Sequence, residues 1–115
     1  MANQTQMLKG ILEGCILKLV SAQPRYSQEL VRCLKECGFE NMSEGTLFPL
    51  LLRLEKDGDF ETERMANPLG PSRKYYSLSA AGREELRSFQ QTWEDFSAVV
   101  DHILNDEVGT DEQHN

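Results

Sequence analysis

The last quarter of the chain contains no lysine and no arginine. All 12 basic residues of the 115-residue sequence fall between positions 1 and 87. That stretch also holds 12 of the 19 acidic residues and is neutral overall. The formal net charge of −7 therefore belongs to residues 88–115, with Glu94, Asp95, Asp101, Asp106, Glu107, Asp111 and Glu112. This excludes the C-terminal quarter from binding a polyanion and leaves the first three quarters free to do so.

Long apolar runs are also missing. No stretch approaches the ~18–20 apolar residues of a helical membrane span. The start, M-A-N-Q-T-Q-M, lacks the basic-then-apolar pattern of a secretory signal. A cytoplasmic protein with no membrane partner is the expectation. Cysteine is scarce and odd in number: Cys15, Cys33 and Cys37. Cys33 and Cys37 stand four apart in a helical pattern, but no further ligands follow at a metal-site spacing. They are expected as small core residues in a reducing compartment, with no metal. Histidine occurs only at His102 and His114, and H-x-x-x-H, G-x-S-x-G, G-x-x-x-x-G-K-[ST] and G-x-G-x-x-G are all absent. Neither an enzyme nor a cofactor is expected.

What is present is helical periodicity, interrupted once. The apolar fraction of 39% and the charged fraction of 27% suit one globular domain. From Met7 to Ala22, Leu8, Ile11, Leu12, Cys15, Ile16, Leu19 and Val20 recur every three or four residues, and Pro24 ends the pattern. Ser27 then reads as an N-cap and Gly38 as a stop around a second helix with Leu30, Leu34 and Cys37 inward. Ser43 and Gly58 bracket a third, in which Leu47, Leu50, Leu51 and Leu54 share one face. Gly45, Pro49, Leu52, Arg53 and Lys56 lie opposite, with Thr46 beside them. Pro49 is costly deep inside a helix, so a later start or a bend is expected there.

Between Asp59 and Met65 the pattern alternates, Asn67 to Pro71 is a turn cluster, and Arg73 to Ser79 is β-prone around Tyr75 and Tyr76. Two strands and a turn make a hairpin. Ser79 caps a last helix in which Leu86, Phe89, Trp93, Phe96, Val100 and Ile103 step by 3, 4, 3, 4, 3, a heptad seam.

Helix, helix, helix, hairpin is the order of a winged helix-turn-helix. The fold class expected is α+β, mostly α, with a C-terminal dimerisation helix. The division is residues 1–79 for the DNA-binding domain, 80–105 for the dimerisation helix and 106–115 for an acidic flexible tail. On such a frame the polar side of helix three enters a major groove. Thr46 meets a base edge or phosphate, Arg53 and Lys56 meet phosphates, and Arg73 and Lys74 put charge on the wing. Arg25, Arg32 and Lys35 flank the backbone.

Three segments carry a resemblance: L-K-G-I-L-E-G-C-I-L-K-L-V, S-E-G-T-L-F-P-L-L-L-R-L-E-K-D-G and G-P-S-R-K-Y-Y-S-L-S-A-A-G. They look like the signatures of PadR-type transcriptional regulators, over residues 8 to about 104. Length and the single C-terminal helix are similar to the small subfamily that includes a multidrug regulator. The resemblance implies a homodimer on a palindromic double-stranded DNA operator, usually repressing. It implies that the first and last helices, with Leu8 and Ile11 beside the seam, build the dimer. Ser43, Thr46, Phe48 and Arg53 match the family's recognition segment, Arg73, Lys74 and Tyr75 its wing, and Tyr26 a tyrosine before the second helix.

Four positions depart from that pattern. Phe48 replaces a usual tyrosine, Leu52 a frequent lysine, Ser77 a frequent arginine, and Asp59 an apolar residue. The first three each remove a polar contact, and each lost phosphate contact flattens the salt dependence of binding by ~0.9.

Trp93, the only tryptophan, has two readings. It is a packed aromatic in the seam, or, by the resemblance, a surface on which a small planar effector stacks between two subunits. A second reading of the whole chain also stands: a winged helix used for protein contact with weak or no DNA binding, suggested by Leu52 on the exposed face and by the acidic tail.

Overall fold

The structure, a computed structural model, describes residues 4–105, and side chains from residue 11 onward. The side chain of Leu8 and the acidic segment 106–115 lie outside the described residues. The chain runs α1 (Gln4–Ala22), β1 (Arg25–Tyr26), α2 (Ser27–Cys37), α3 (Glu44–Lys56), β2 (Phe60–Asn67), β3 (Gly70–Leu78) and α4 (Ala80–Leu104). This is a mostly helical fold with one small antiparallel sheet, ordered β1-β3-β2, and it has the winged helix-turn-helix arrangement.

Leu12, Ile16, Leu17 and Val20 of α1, Leu30 and Leu34 of α2, and Leu47, Leu51 and Leu54 of α3 form the core, closed by Met42, Phe60, Tyr76, Leu78 and Leu86. Each helix contributes residues three and four apart, so each buries a single stripe. Leu50, expected inside, is only half-buried.

The two-residue strand β1 is a departure from the sequence reading. Arg25 pairs with Tyr76 and Tyr26 with Tyr75, which attaches the start of α2 to the wing. It also moves the helix start. Tyr26 is held extended at the N-cap position and makes no side-chain cap bond, so Ser27 is the first helical residue and not the cap. At the other end Gly38 takes φ +132°, donating to the Leu34 and Lys35 carbonyls. Cys37 sits at that terminus and is exposed, not a core residue.

Arg25 is also not at the surface edge. Its Nε donates to the Leu19 carbonyl at 2.8 Å, and its Nη1 reaches Glu29 and the Cys33 sulfur, each at 3.3 Å. It ties α1 to α2 and is occupied there.

Helix α3 begins where Ser43 predicts, the Ser43 hydroxyl accepting from the Thr46 amide. It runs through Pro49. Proline there removes one bond, to the Gly45 carbonyl. Both residues are on the exposed side, so the freed oxygen is open to solvent.

The hairpin register runs from Phe60–Leu78 to Asn67–Gly70, with a bulge between Met65 and Asn67. The turn is shorter than the Gly/Pro cluster suggests: Gly70 and Pro71 are already in β3, and Asn67 Oδ1 accepts from the Leu69 amide. Only Phe60 of β2 is buried. Beyond it the hairpin projects past the core, so the alternation carries no inner face.

A compact joint sets where α4 leaves the domain. Ser79 Oγ donates to the Gly58 carbonyl at 2.6 Å and accepts from the Gly82 amide at 3.0 Å, while the Ser79 amide donates to the Asp59 carbonyl at 3.1 Å. A Cβ on Gly82 would overlap that same Asp59 oxygen, so glycine is required for α4 to approach. Gly14 acts similarly on α1: a Cβ there would overlap the Phe89 ring.

Leu86 is buried in the chain's own core and Phe89 is half-buried against α1, which leaves them less available to a seam than the heptad suggests. From Trp93 onward α4 leaves the domain, and Trp93, Phe96, Val99, Val100, Ile103 and Leu104 are exposed. Among the described residues no helix is long and apolar enough to cross a membrane, and no group of three or more His, Cys, Asp or Glu side chains could hold a metal ion.

Candidate nucleic-acid interface

The outward side of α3 and the hairpin make one surface. Burying Leu47, Leu51 and Leu54 turns Gly45, Pro49, Leu52 and Lys56 directly outward at 100° per residue. Thr46 and Arg53 fall on the flank toward α1. Phe48 and Glu55 fall on the flank toward the wing, and Phe48 and Leu52 are each 51% exposed.

The wing's polar residues are held in place from the same side. The Arg73 guanidinium lies over the Tyr26 ring, 4.3 Å from its centroid, and Tyr26 meets Tyr75 edge-on at 5.3 Å. Strand β1 makes this stack possible, because Tyr26 and Tyr75 are register partners. An open recess of about 310 Å³ separates α3 from the wing, with Tyr26, Gln28, Phe48, Leu52, Arg64 and Arg73 among its lining residues.

The charges of this face divide into paired and unpaired groups. Arg53 donates from Nε to Glu13 Oε2 of α1 at 2.6 Å and makes an ion pair with the same carboxylate. Lys74 Nζ donates to both Glu55 oxygens, at 2.8 and 3.0 Å, and stands 5.5 Å from the centre of the Tyr76 ring. Lys56, Arg64 and Arg73 make no ion pair among the described residues. Sequence reasoning found Arg53 and Lys74 but neither counter-ion, since Glu13 and Glu55 lie 40 and 19 residues away along the chain. It also passed over Arg64. Ser43 and Thr46 touch each other through their hydroxyls at 3.3 Å. Ser77, standing where the resemblance leads to arginine, brings only a hydroxyl near the Glu61 carbonyl at 3.4 Å.

Asp59 is buried, at 8% exposure. Burial first, then the carboxylates of Glu85, Asp57 and Glu13, push its pKa above the ordinary carboxylate range. An apolar side chain would carry no such penalty.

A second recess, about 400 Å³, lies between α1 and α4. Ile11, Gly14, Cys15, Phe39, Phe89 and Trp93 line it, with Lys18 at its edge. Its lining is mostly apolar, and burial pushes the pKa of the Cys15 thiol up, with Cys37 adding to the effect. Trp93, at 49% exposure, forms one wall.

Comparison with known proteins agrees with this arrangement. The sequence profile of the transcriptional regulator PadR-like family matches residues 16–88. The crystal structure of a PadR-like transcriptional regulator from Bacillus cereus strain ATCC 14579 is 45% identical, covers 89% of this chain and 99% of its own, and superposes with a TM-score of 0.80. A Streptococcus transcriptional regulator is 44% identical over 85% of this chain and 96% of its own, with a TM-score of 0.77. A PadR-like transcription factor from Bacteroides fragilis is 38% identical over 87% and 96%, with a TM-score of 0.74. The profile, the identity and the winged fold agree: this chain belongs to the PadR-like family of DNA-binding transcriptional regulators.

Proposed function

We propose that the chain acts in the cytoplasm as a homodimeric repressor on a palindromic operator. Two copies of α3 enter successive major grooves about one helical turn (~34 Å) apart. Ser43, Thr46, Phe48, Arg53 and Lys56 contact DNA from α3, and Tyr26, Arg73, Lys74 and Tyr75 contact it from the wing side. The observation that carries this reading is the continuous surface in which the outward side of α3 adjoins an arginine stacked over Tyr26. The dimer forms through the apolar row of α4 from Trp93 to Ile103, with Ile11 of α1 beside its base.

The test is fluorescence anisotropy on DNA from the region upstream of the gene, at several salt concentrations. Salt-dependent binding is expected, weakened in Arg73→Ala and less so in Arg53→Ala, because Arg53 already has a carboxylate partner. Binding no better than to random DNA at low salt contradicts the reading. It would favour the alternative, a winged helix that docks a protein on exposed Phe48 and Leu52.

The recess beside Trp93 supports an effector reading alongside the first. A small planar aromatic molecule stacked there would contact α1 and α4 together. It would then bias the angle between the two domains, provided it binds the two arrangements unequally. Because Trp93 is the sole tryptophan, its fluorescence reports directly. Quenching is expected, and no response to a broad panel of planar compounds contradicts it.

A further inference from the structure

The outward face of α3 has few hydrogen-bonding side chains free to read bases. Arg53 is turned onto Glu13, and Glu55 onto Lys74. Ser43 and Thr46 are engaged with one another at the helix cap. Gly45 and Pro49 offer no side-chain donor. Lys56 lies in the last turn, where a flexible point charge suits a phosphate. The centre of the face is thus Leu52, with Phe48 one turn before it on the flank toward the wing, both half-exposed.

A single exposed leucine needs no explanation. Two large apolar side chains at i and i+4, opening on one recess rimmed by Arg64 and Arg73, are a built feature. The rim selects the occupant. Cations around an apolar centre complement a surface that is anionic at its edges and apolar at its floor. A DNA major groove is such a surface wherever it carries thymine, whose 5-methyl is the one apolar group among the base edges there.

We propose that Leu52 and Phe48 read thymine 5-methyl groups, so that α3 selects its sequence by apolar contact more than by hydrogen bonds. The inference rests on the DNA-binding reading above and names the chemistry that reading leaves open. Arg73 and Lys56 hold the phosphates and position the helix, while Leu52 and Phe48 discriminate.

The test separates the two claims. The purified full chain selects its tightest duplex from a randomised pool. Each thymine of that duplex is then replaced by deoxyuridine, which removes a methyl and leaves pairing intact. Wild-type binding is expected to weaken about threefold to fivefold per contacted methyl. Leu52→Ala should lose the effect of the methyl that Leu52 contacts and keep that of Phe48's methyl, Phe48→Ala the reverse, whereas Leu52→Met retains both. Arg73→Ala should weaken both duplexes by the same factor. Unchanged helical circular dichroism and thermal midpoints show that the exposed-site variants are folded. Indifference of the wild type to every methyl overturns this inference alone. A methyl effect that persists in both alanine variants also overturns it, because the methyl then acts through DNA shape. Failure to enrich any duplex over random DNA overturns the DNA-binding reading and this one with it.

Discussion

Among the described residues two exposed apolar surfaces, on α3 and on α4, have opposite electrostatic surroundings. On α3, Phe48 and Leu52 share a recess with Arg64, Arg73 and Lys74, and Lys56 lies one turn beyond Leu52. On α4, Trp93, Phe96, Val100 and Ile103 are as exposed, but Glu94, Asp95 and Asp101 flank them and no lysine or arginine follows Arg87. Apolar area alone does not choose a partner, because burial is non-directional. The surrounding charge does. An acidic rim repels a polyanion and tolerates a second copy whose apolar row covers the seam. A basic rim favours a polyanion.

The strongest way to break this contrast is to charge the α4 row. Phe96→Asp and Ile103→Asp together should give a folded monomer, read by sedimentation. Operator affinity should fall at least ~100-fold as the two half-sites lose their linkage. A variant that still binds as a dimer would show that the row is not the seam.

On the other surface, Arg73→Ala should weaken binding by roughly tenfold and flatten the salt slope by ~0.9, the signature of one phosphate contact. An unchanged slope would remove Arg73 from the DNA face. The internal counter-ions sharpen the same point in the opposite direction. Glu13→Gln releases Arg53 and should raise affinity by about threefold with a steeper salt slope. A loss of affinity would mean that Glu13 positions Arg53 for DNA and does not compete for it.

The smallest effect concerns the joint at Asp59. Its folded-state pKa is raised by burial and by Glu85, Asp57 and Glu13. The folded protein therefore holds this proton more tightly than the unfolded chain. Its contribution to stability is fully present below the unfolded value and is lost as pH rises through the folded one. Asp59→Asn should consequently be more stable than the parent at neutral pH, with the difference shrinking as pH falls toward 4. Thermal midpoints across that range check it, and a constant difference contradicts it.

Much of this was readable in the sequence. Caps and periodicity placed α2, α3 and α4 because Ser43, Ser79 and Gly38 act locally, and the turn cluster placed the wing. What stayed hidden depends on partners distant in the chain. Strand β1 is two residues long and exists only because Tyr75 and Tyr76 lie beside it. Arg25 read as a surface cation because neither the Leu19 carbonyl nor the Cys33 sulfur announces itself. The counter-ions of Arg53 and Lys74 come from other elements. Gly14 and Gly82 look like helix defects until Phe89 and the Asp59 carbonyl are seen against them. The heptad in α4 was visible, but a heptad does not say which partner it packs on, and Leu86 packs on its own domain. Element order supplied what periodicity could not: helix, helix, helix, hairpin pointed to the outward side of α3 as the face for DNA, an assignment the footprinting below tests.

Oxidative side-chain footprinting, with and without operator DNA, tests the contrast between the two surfaces most directly. At concentrations where the dimer forms, Trp93 and Phe96 should already be protected without DNA, although they are exposed in the single chain. Phe48 and Leu52 should oxidise freely until operator is added and then become protected. Free oxidation of Trp93 and Phe96 in the absence of DNA, or indifference of Phe48 and Leu52 to operator, would contradict the account.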